Sequence, residues 1–302
     1  MKQPFLTVIA GPTASGKSAL AVELARRAGG EIVGADSQQV YRYFDVGTAK
    51  PSAEELAAVP HHLISVVDPL EPFSAAEYQR RADVAIAEIA SRGRPVFVVG
   101  GTGLYLRVLL HGVVEAPGAH PALRAELEAL AATEGREEVH RKLAEVDPET
   151  AARLPPRDLV RIIRALEIHA LTGKTASEFR REHAFAGERY PFRLQVLSPP
   201  REALYRTIEA RTAAMFEQGL VEEVRALLAR GYGNAAPMRS VGYVQARAFV
   251  EGTLTLEEAK QLVAQETRRY AKRQLTWFRK EPGALFVEPP YARLLADPSQ
   301  DA

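Results

Sequence analysis

Gly11-Pro12-Thr13-Ala14-Ser15-Gly16-Lys17-Ser18 satisfies the phosphate-loop pattern G-x-x-x-x-G-K-[ST] at every fixed position. Glycines at that spacing let backbone N–H groups turn towards an anion, and the dipole of a following helix adds to the attraction. Lys17 then faces the outermost phosphate, and the Ser18 hydroxyl suits Mg²⁺. The pattern has this meaning only between a strand and a helix. That context is met: Phe5 to Ala10 is a short β-rich run, and Leu20, Leu24 and Ala28 recur with helical spacing after Lys17. The commonest owners of such a loop are ATPases and small-molecule kinases.

Two features resist a kinase reading. A phosphate-loop NTPase usually holds Mg²⁺ with an acid at the end of a buried strand, but Val96 to Val99 runs into Gly100-Gly101-Thr102. The acid stands instead at Asp36, after the run Glu31 to Ala35, and is followed by Ser37, Gln38 and Gln39. A carboxylate there can take a proton from a nucleophile, and glutamine amides pair with base edges. The plainer alternative is that Asp36 caps a turn. His61 and His62 are adjacent, point apart on an extended chain and lack a nearby third ligand, so they read as core or turn histidines.

The elements that must position these groups alternate. After the second strand come an apolar stretch from His62 to Val67, a helix from a Ser74/Glu77 capping box to about Ser91, a buried strand over Arg94 to Val99, and a helix from about Leu104. Strand and helix in alternation predict a doubly wound parallel sheet. From Glu115 to Tyr190 only helical spacing appears, marked by Leu123, Leu127 and Leu130 and then by Leu159, Ile162, Ile163 and Leu166. Phe192 to Leu197 alternates as a strand would. Helices follow over Arg201 to Arg230, closed by Gly231, and over Leu256 to Lys280, opened by a Thr255/Glu258 capping box. The expectation is an α/β fold, a phosphate-loop NTPase-like parallel sheet flanked by helices, built from residues 1–114 and 191–302. An all-helical insertion occupies 115–190.

A chain of 302 residues, 46% hydrophobic, has room for one core and a smaller module. It has no cysteine, which excludes disulfides and thiolate metal sites. No apolar run approaches the ~20 residues of a membrane span, so a soluble, cytoplasmic protein is expected. The net charge of +1 gives no global sign of a polyanionic partner, but basic residues cluster locally. Arg157, Arg161 and Arg164 fall at i, i+4 and i+7, with Arg180 and Arg181 beyond them. Arg268, Arg269, Lys272, Arg273, Arg279 and Lys280 are interleaved with Tyr270, Trp277 and Phe278, a composition that suits RNA. Solvated ion-paired faces, and core packing of Trp277, are the alternatives.

GPTASGKS at 11–18 is one of an ordered set that includes DSQQVYR at 36–42, DVGTAKP at 45–51, PHHL at 60–63 and VGGTGLY at 99–105. DLVRIIRALE at 158–167, MRSVGY at 238–243 and TRRYAKRQLTWFR at 267–279 complete it. Along nearly its whole length the chain thereby resembles the bacterial tRNA dimethylallyltransferases, also called tRNA isopentenyltransferases. The resemblance implies transfer of a dimethylallyl group from dimethylallyl diphosphate to N6 of the adenosine 3′-adjacent to the anticodon, with release of diphosphate. Gly11 to Ser18 and Arg211 would then hold a leaving diphosphate, Lys17 would act on it, and Mg²⁺ would sit at Ser18. Asp36 would be the base and Thr102 would orient the reacting groups. The tRNA anticodon stem-loop would meet Asp36, Ser37, Gln38, Gln39, Thr102, Arg124, Val160, Arg161, Ile162, Ile163, Arg164, Arg239, Arg269, Arg273 and Trp277. A monomer with no membrane partner is expected. Rival readings are a small-molecule kinase, an adenylate isopentenyltransferase and an RNA-binding protein with a regulatory phosphate site.

Overall fold

A strand covered by helices on both faces must be apolar at nearly every position. Val96–Gly100 meets that demand, each of its residues being buried. In a computed structural model of the chain, which describes residues 3–113, 116–183, 187–291 and 294, it lies inside a six-stranded sheet. The strands are β1 (Leu6–Ala10), β2 (Glu31–Gly34), β3 (His61–His62), β4 (Val96–Gly100), β5 (Phe192–Leu197) and β6 (Ala284–Val287). Their order is β3-β2-β4-β1-β5-β6 and every pairing is parallel. From β1 the chain steps over one position to β2 and β3, returns to fill the gap with β4, then leaves for β5 and β6 on the other side. Ligands of open α/β sheets bind outside the carboxyl ends of the strands at such a reversal. Register places Ala10 beside Gly100, and Val99 beside Gly34, so three loops leave the sheet together.

Helix Lys17–Ala28 packs Leu20 and Leu24 against Ile9, Ile32, Phe97 and Val99. A second core holds Phe44, Val224, Tyr243 and Val263. Within it Glu223 accepts from the backbone N–H of Asp45 (2.9 Å), Val46 (2.8 Å) and Gly47 (3.3 Å), and from the Tyr243 hydroxyl (2.5 Å). One carboxylate thus satisfies four donors and shapes the loop before Thr48. At the other end of the sheet, buried Glu31 is paired with Arg92 (2.8 Å), Arg94 (3.1 Å) and His62 (2.7 Å), which gives His62 a structural partner.

Contacts divide the chain into Met1–Gly112 with Glu188–Ala302, and Val113–Gly187. The expected first boundary, at 114 and 115, falls outside the described residues. In the first unit the Arg189 N–H donates to Leu110 O at 2.8 Å, and the Arg189 guanidinium binds Asp83 and Leu109 O. Segments on either side of the insertion are therefore joined by hydrogen bonds. The second unit holds helices Pro121–Thr133, Arg136–Val146, Pro148–Arg153, Leu159–Thr172 and Ala176–His183 around Leu127, Val139, Leu143, Ile162 and Ile163.

Several local expectations need correction. Only His62 of the stretch from His62 to Val67 lies in a strand, the two-residue His61–His62, before the chain bends with Leu63 and Ser65 at positive φ. Ser74 caps helix Ala75–Ser91, but Glu77 turns to Arg80 and Arg81 and does not complete the box. The box at Thr255 and Glu258 is complete, and its helix, Leu256–Phe278, ends before Lys280. The helices expected from Arg201 to Arg230 are present as two, Arg201–Glu217 and Leu220–Ala229. Strand β6 was not expected at all. It is a short apolar run, Ala284-Leu285-Phe286-Val287, at the sheet edge, where Leu285 and Phe286 are exposed.

In the insertion Glu167 is fully buried. It accepts from the Arg124 guanidinium at 2.7 and 2.8 Å, from His120 N at 2.6 Å and from Arg164 at 2.5 Å. These hydrogen bonds, Arg124's foremost, outweigh its desolvation and hold its pKa at about 2, against an ordinary 4.5. A carboxylate depressed by folding stabilises above its unfolded pKa and loses that contribution as pH falls towards the folded value. Urea unfolding should therefore show stability draining away between about pH 4.5 and about pH 2. Glu167→Gln should flatten that part of the profile and cost about 2 kcal/mol at neutral pH, less than the ~3–5 of a wholly buried pair because both arginines remain partly exposed.

Candidate active site

The phosphate loop leaves β1 and enters helix Lys17–Ala28 through Gly16, whose φ of 84° is readily reached only by glycine. Ala14, at φ 63°, is held in the same left-handed region without that freedom, a local strain of the kind found at functional sites. Among the described residues the N–H groups of Gly16, Lys17 and Ser18 have no acceptor in the protein, so the helix start presents donors to an incoming anion. Ser15 is buried and its Oγ lacks a partner. Lys17 Nζ donates to Pro12 O at 3.3 Å. Burial lowers the lysine to about pKa 8; Arg211 adds to the fall and Asp36 opposes it. Burial likewise lowers Arg211, which reaches across from helix Arg201–Glu217 to Thr13 Oγ1 at 3.4 Å.

Asp36 follows β2. Its Oδ1 accepts from the N–H of Gln38 (2.9 Å) and Gln39 (3.3 Å), so the turn-capping reading holds for one oxygen. Oδ2 has no partner among the described residues, which leaves it for a substrate proton. Thr102, at the end of β4, accepts the Ser37 N–H at 3.0 Å and is hydrogen-bonded to Tyr270. The two glutamines differ. Gln39 donates to the carbonyls of Thr48 (3.1 Å) and Ala49 (3.0 Å), while Gln38 has a buried Oε1 with no partner.

Most of these groups, though not Thr102 or Ser15, line one cavity of about 670 Å³, a size that suits a small ligand. Thr13, Ala14, Gly16, Lys17, Ser18 and Arg211 line it with Asp36, Ser37, Gln38 and Gln39. Arg239 joins them, with Met215, Val241 and Val263 as apolar wall. Sequence reading missed Tyr270, Gln274 and the wall from Gly47 to Lys50. Gln274 carried a signal: it falls between Ala271 and Phe278 on the buried stripe of its helix.

The remaining expected RNA contacts lie outside this cavity. On helix Leu256–Phe278, Arg269 is exposed and paired with Glu266, and the Arg273 guanidinium lies 5.7 Å from the Tyr270 ring. Trp277 is half-buried beneath Arg107, 4.4 Å from its ring, so it packs within its own unit. In the insertion Val160 is 81% exposed and Arg161 is paired with Asp158. The side chains of Ile162 and Ile163 are buried in the helical core. Arg124 and Arg164 are engaged by Glu167. Arg157 precedes the helix that Arg161 and Arg164 share, and Arg180 and Arg181 both pair with Glu149. The three-arginine face is therefore not formed as spaced.

A parallel sheet, a phosphate loop at its reversal point, and a carboxylate across the cavity define a phosphate-loop transferase without the usual metal-binding acid after β4. A family profile described as IPP transferase matches residues 39–281. The tRNA dimethylallyltransferase of Myxococcus xanthus (strain DK1622) is 77% identical over 294 residues, covering 97% of this chain and 96% of that protein. Its counterpart in Anaeromyxobacter dehalogenans (strain 2CP-C) is 58% identical, covering 95% of each. A full-length tRNA isopentenylpyrophosphate transferase from Bacillus halodurans has a TM-score of 0.70 at 41% identity, covering 95% of this chain and 90% of that one. A eukaryotic dimethylallyltransferase acting on tRNA has a TM-score of 0.81 at 27% identity, covering 98% and 77%. The chain belongs to the IPP transferase family and is an enzyme. None of its described helices is long and apolar enough to cross a membrane.

Because the profile begins at residue 39, the phosphate loop rests on its own geometry. An anion bound there favours the charged form of Lys17, and a lysine lowered to about 8 is increasingly neutral above that pH. Diphosphate affinity, measured by calorimetry, should weaken as pH rises through about 8, with proton uptake on binding. Lys17→Arg, charged throughout, should bind with a flatter profile.

Proposed function

We propose that this enzyme transfers a dimethylallyl group from dimethylallyl diphosphate to N6 of the adenosine 3′-adjacent to the anticodon in tRNA, releasing diphosphate. The supporting observation is that a phosphate cradle with two partly buried cations shares one cavity with the Asp36 carboxylate. A kinase needs its acid beside the metal, whereas prenyl transfer needs a proton acceptor beside the nucleophile. As the C1–O bond of the donor breaks, charge grows on the diphosphate, where Lys17, Arg211 and the N–H groups of the loop oppose it. As the N6–C1 bond forms, the N6 proton passes to Asp36 Oδ2. Thr102, tied to Ser37, orients the amine. Gln38, with an unpaired buried carbonyl oxygen, is the better placed of the two glutamines to meet a base edge.

The amine of a stacked anticodon-loop base is inaccessible, so the acceptor enters flipped out. Val160 and Arg161 of the insertion, and Arg239, Arg269 and Arg273 of the core, are the exposed members of the expected RNA set. Mg²⁺ fits the donor chemistry of the site: Ser18 is exposed on the cavity wall, and no group of three His, Asp or Glu side chains offers a protein cage among the described residues. Ser18 and the phosphate oxygens of a bound diphosphate would hold the cation, with water in the rest of its shell, and it would neutralise charge on the departing group.

Incubation with dimethylallyl diphosphate, Mg²⁺ and unmodified tRNA, followed by nucleoside mass analysis, should yield N6-prenyl adenosine; phosphoryl transfer from ATP in its place would favour the kinase reading. Asp36→Asn should lower kcat by ~10²–10⁴-fold and change the donor Kd by no more than about threefold. Undiminished turnover would remove Asp36 from the role of base.

A further inference from the structure

Gln274 is 6% exposed on helix Leu256–Phe278, yet neither of its hydrogen bonds is to its own helix. Its Oε1 accepts the Thr13 N–H at 2.8 Å, and its Nε2 donates to Gly101 O at 2.9 Å. The partners settle the amide's orientation, since an N–H can only donate and a carbonyl can only accept. Thr13 lies in the phosphate loop after β1, and Gly101 adjoins Thr102 after β4. These loops leave neighbouring strands at the paired positions Ala10 and Gly100, and then diverge. Gln274 spans the divergence. Approach on the Gly101 side is so close that a Cβ there would lie 2.3 Å from Gln274 Nε2.

On one side, then, the amide holds Thr13, whose hydroxyl accepts from Arg211. On the other it holds the loop that carries Thr102. We propose that Gln274 is a positioning residue, which sets the separation between the diphosphate cradle and the acceptor-orienting hydroxyl. This rests on the prenyl-transfer reading above. Reacting atoms must approach to ~3–3.5 Å, and a misplacement of ~1 Å costs about 10²-fold in rate even where each substrate still binds. Only a primary amide of this length serves both partners: methionine matches its bulk but serves neither, and an ionised glutamate accepts from Thr13 while repelling Gly101 O.

Gln274→Met should keep the thermal unfolding profile and shift the Kd values for inorganic diphosphate and for tRNA by no more than about threefold, while kcat falls ~10²-fold. Gln274→Glu supplies the second arm. Its protonated acid can donate to Gly101 O while accepting from Thr13, so its kcat relative to the wild type at the same pH should rise as pH is lowered from about 8.5 to about 6.5. Wild-type kcat in Gln274→Met, or a loss confined to binding, overturns the assignment. If that variant does not fold, a flat Gln274→Glu ratio overturns it and a rising one supports it. No prenylated adenosine from the wild-type chain takes down the proposed function as well; a wild-type product alongside an undiminished Gln274→Met strikes Gln274 alone.

Discussion

Parallel pairing of β1 with β4, and of β4 with β2, is the constraint from which the site follows. Strands running the same way end on the same side, and register brings Ala10, Gly100 and Gly34 to a common edge. Whatever follows those residues must share one space. The phosphate loop, Asp36 and Thr102 are far apart in the chain, yet the backbone hydrogen bonds of the sheet bring them to one edge before any side chain acts. The order of the strands supplies the rest, since the reversal around β1 opens the gap that a ligand fills.

Confinement then changes the chemistry of what is placed there. Lys17 and Arg211 are cations in a poorly solvated site with one nearby carboxylate, Asp36, so both hold their protons less firmly than in water. An arriving diphosphate relieves that imbalance. The site thus carries an excess of positive charge that an anion would balance. Elsewhere the protein finishes such networks internally: Glu167 is matched by Arg124 and Arg164, and Glu31 by Arg92, Arg94 and His62.

Much of this was legible in the sequence because it is local. Gly11 to Ser18, the buried run before Gly100 and the acid at Asp36 each declare themselves within a few residues. The helical insertion shows itself by a change of period. What stayed hidden depends on contacts between distant segments. Gln274 looks like any polar helix residue until its stripe is traced, and the wall from Gly47 to Lys50 is shaped by Glu223, far along the chain. Spacing also misled where partners intervened. Arg164 lies one turn from Arg161, as read, but Glu167 engages it inside the insertion. The isoleucines between them pack into the helical core.

The bond from Arg189 N to Leu110 O bears on how such a chain can diversify. With the segments flanking the insertion already fastened to one another through Leu110, Leu109 and Asp83, the catalytic core is closed without reference to what lies between. Doubling the length of a flexible connection adds only ~0.6 kcal/mol of closure entropy. The intervening segment is therefore a part that evolution can enlarge, trim or replace to suit different acceptors, while the sheet and its cradle are inherited intact.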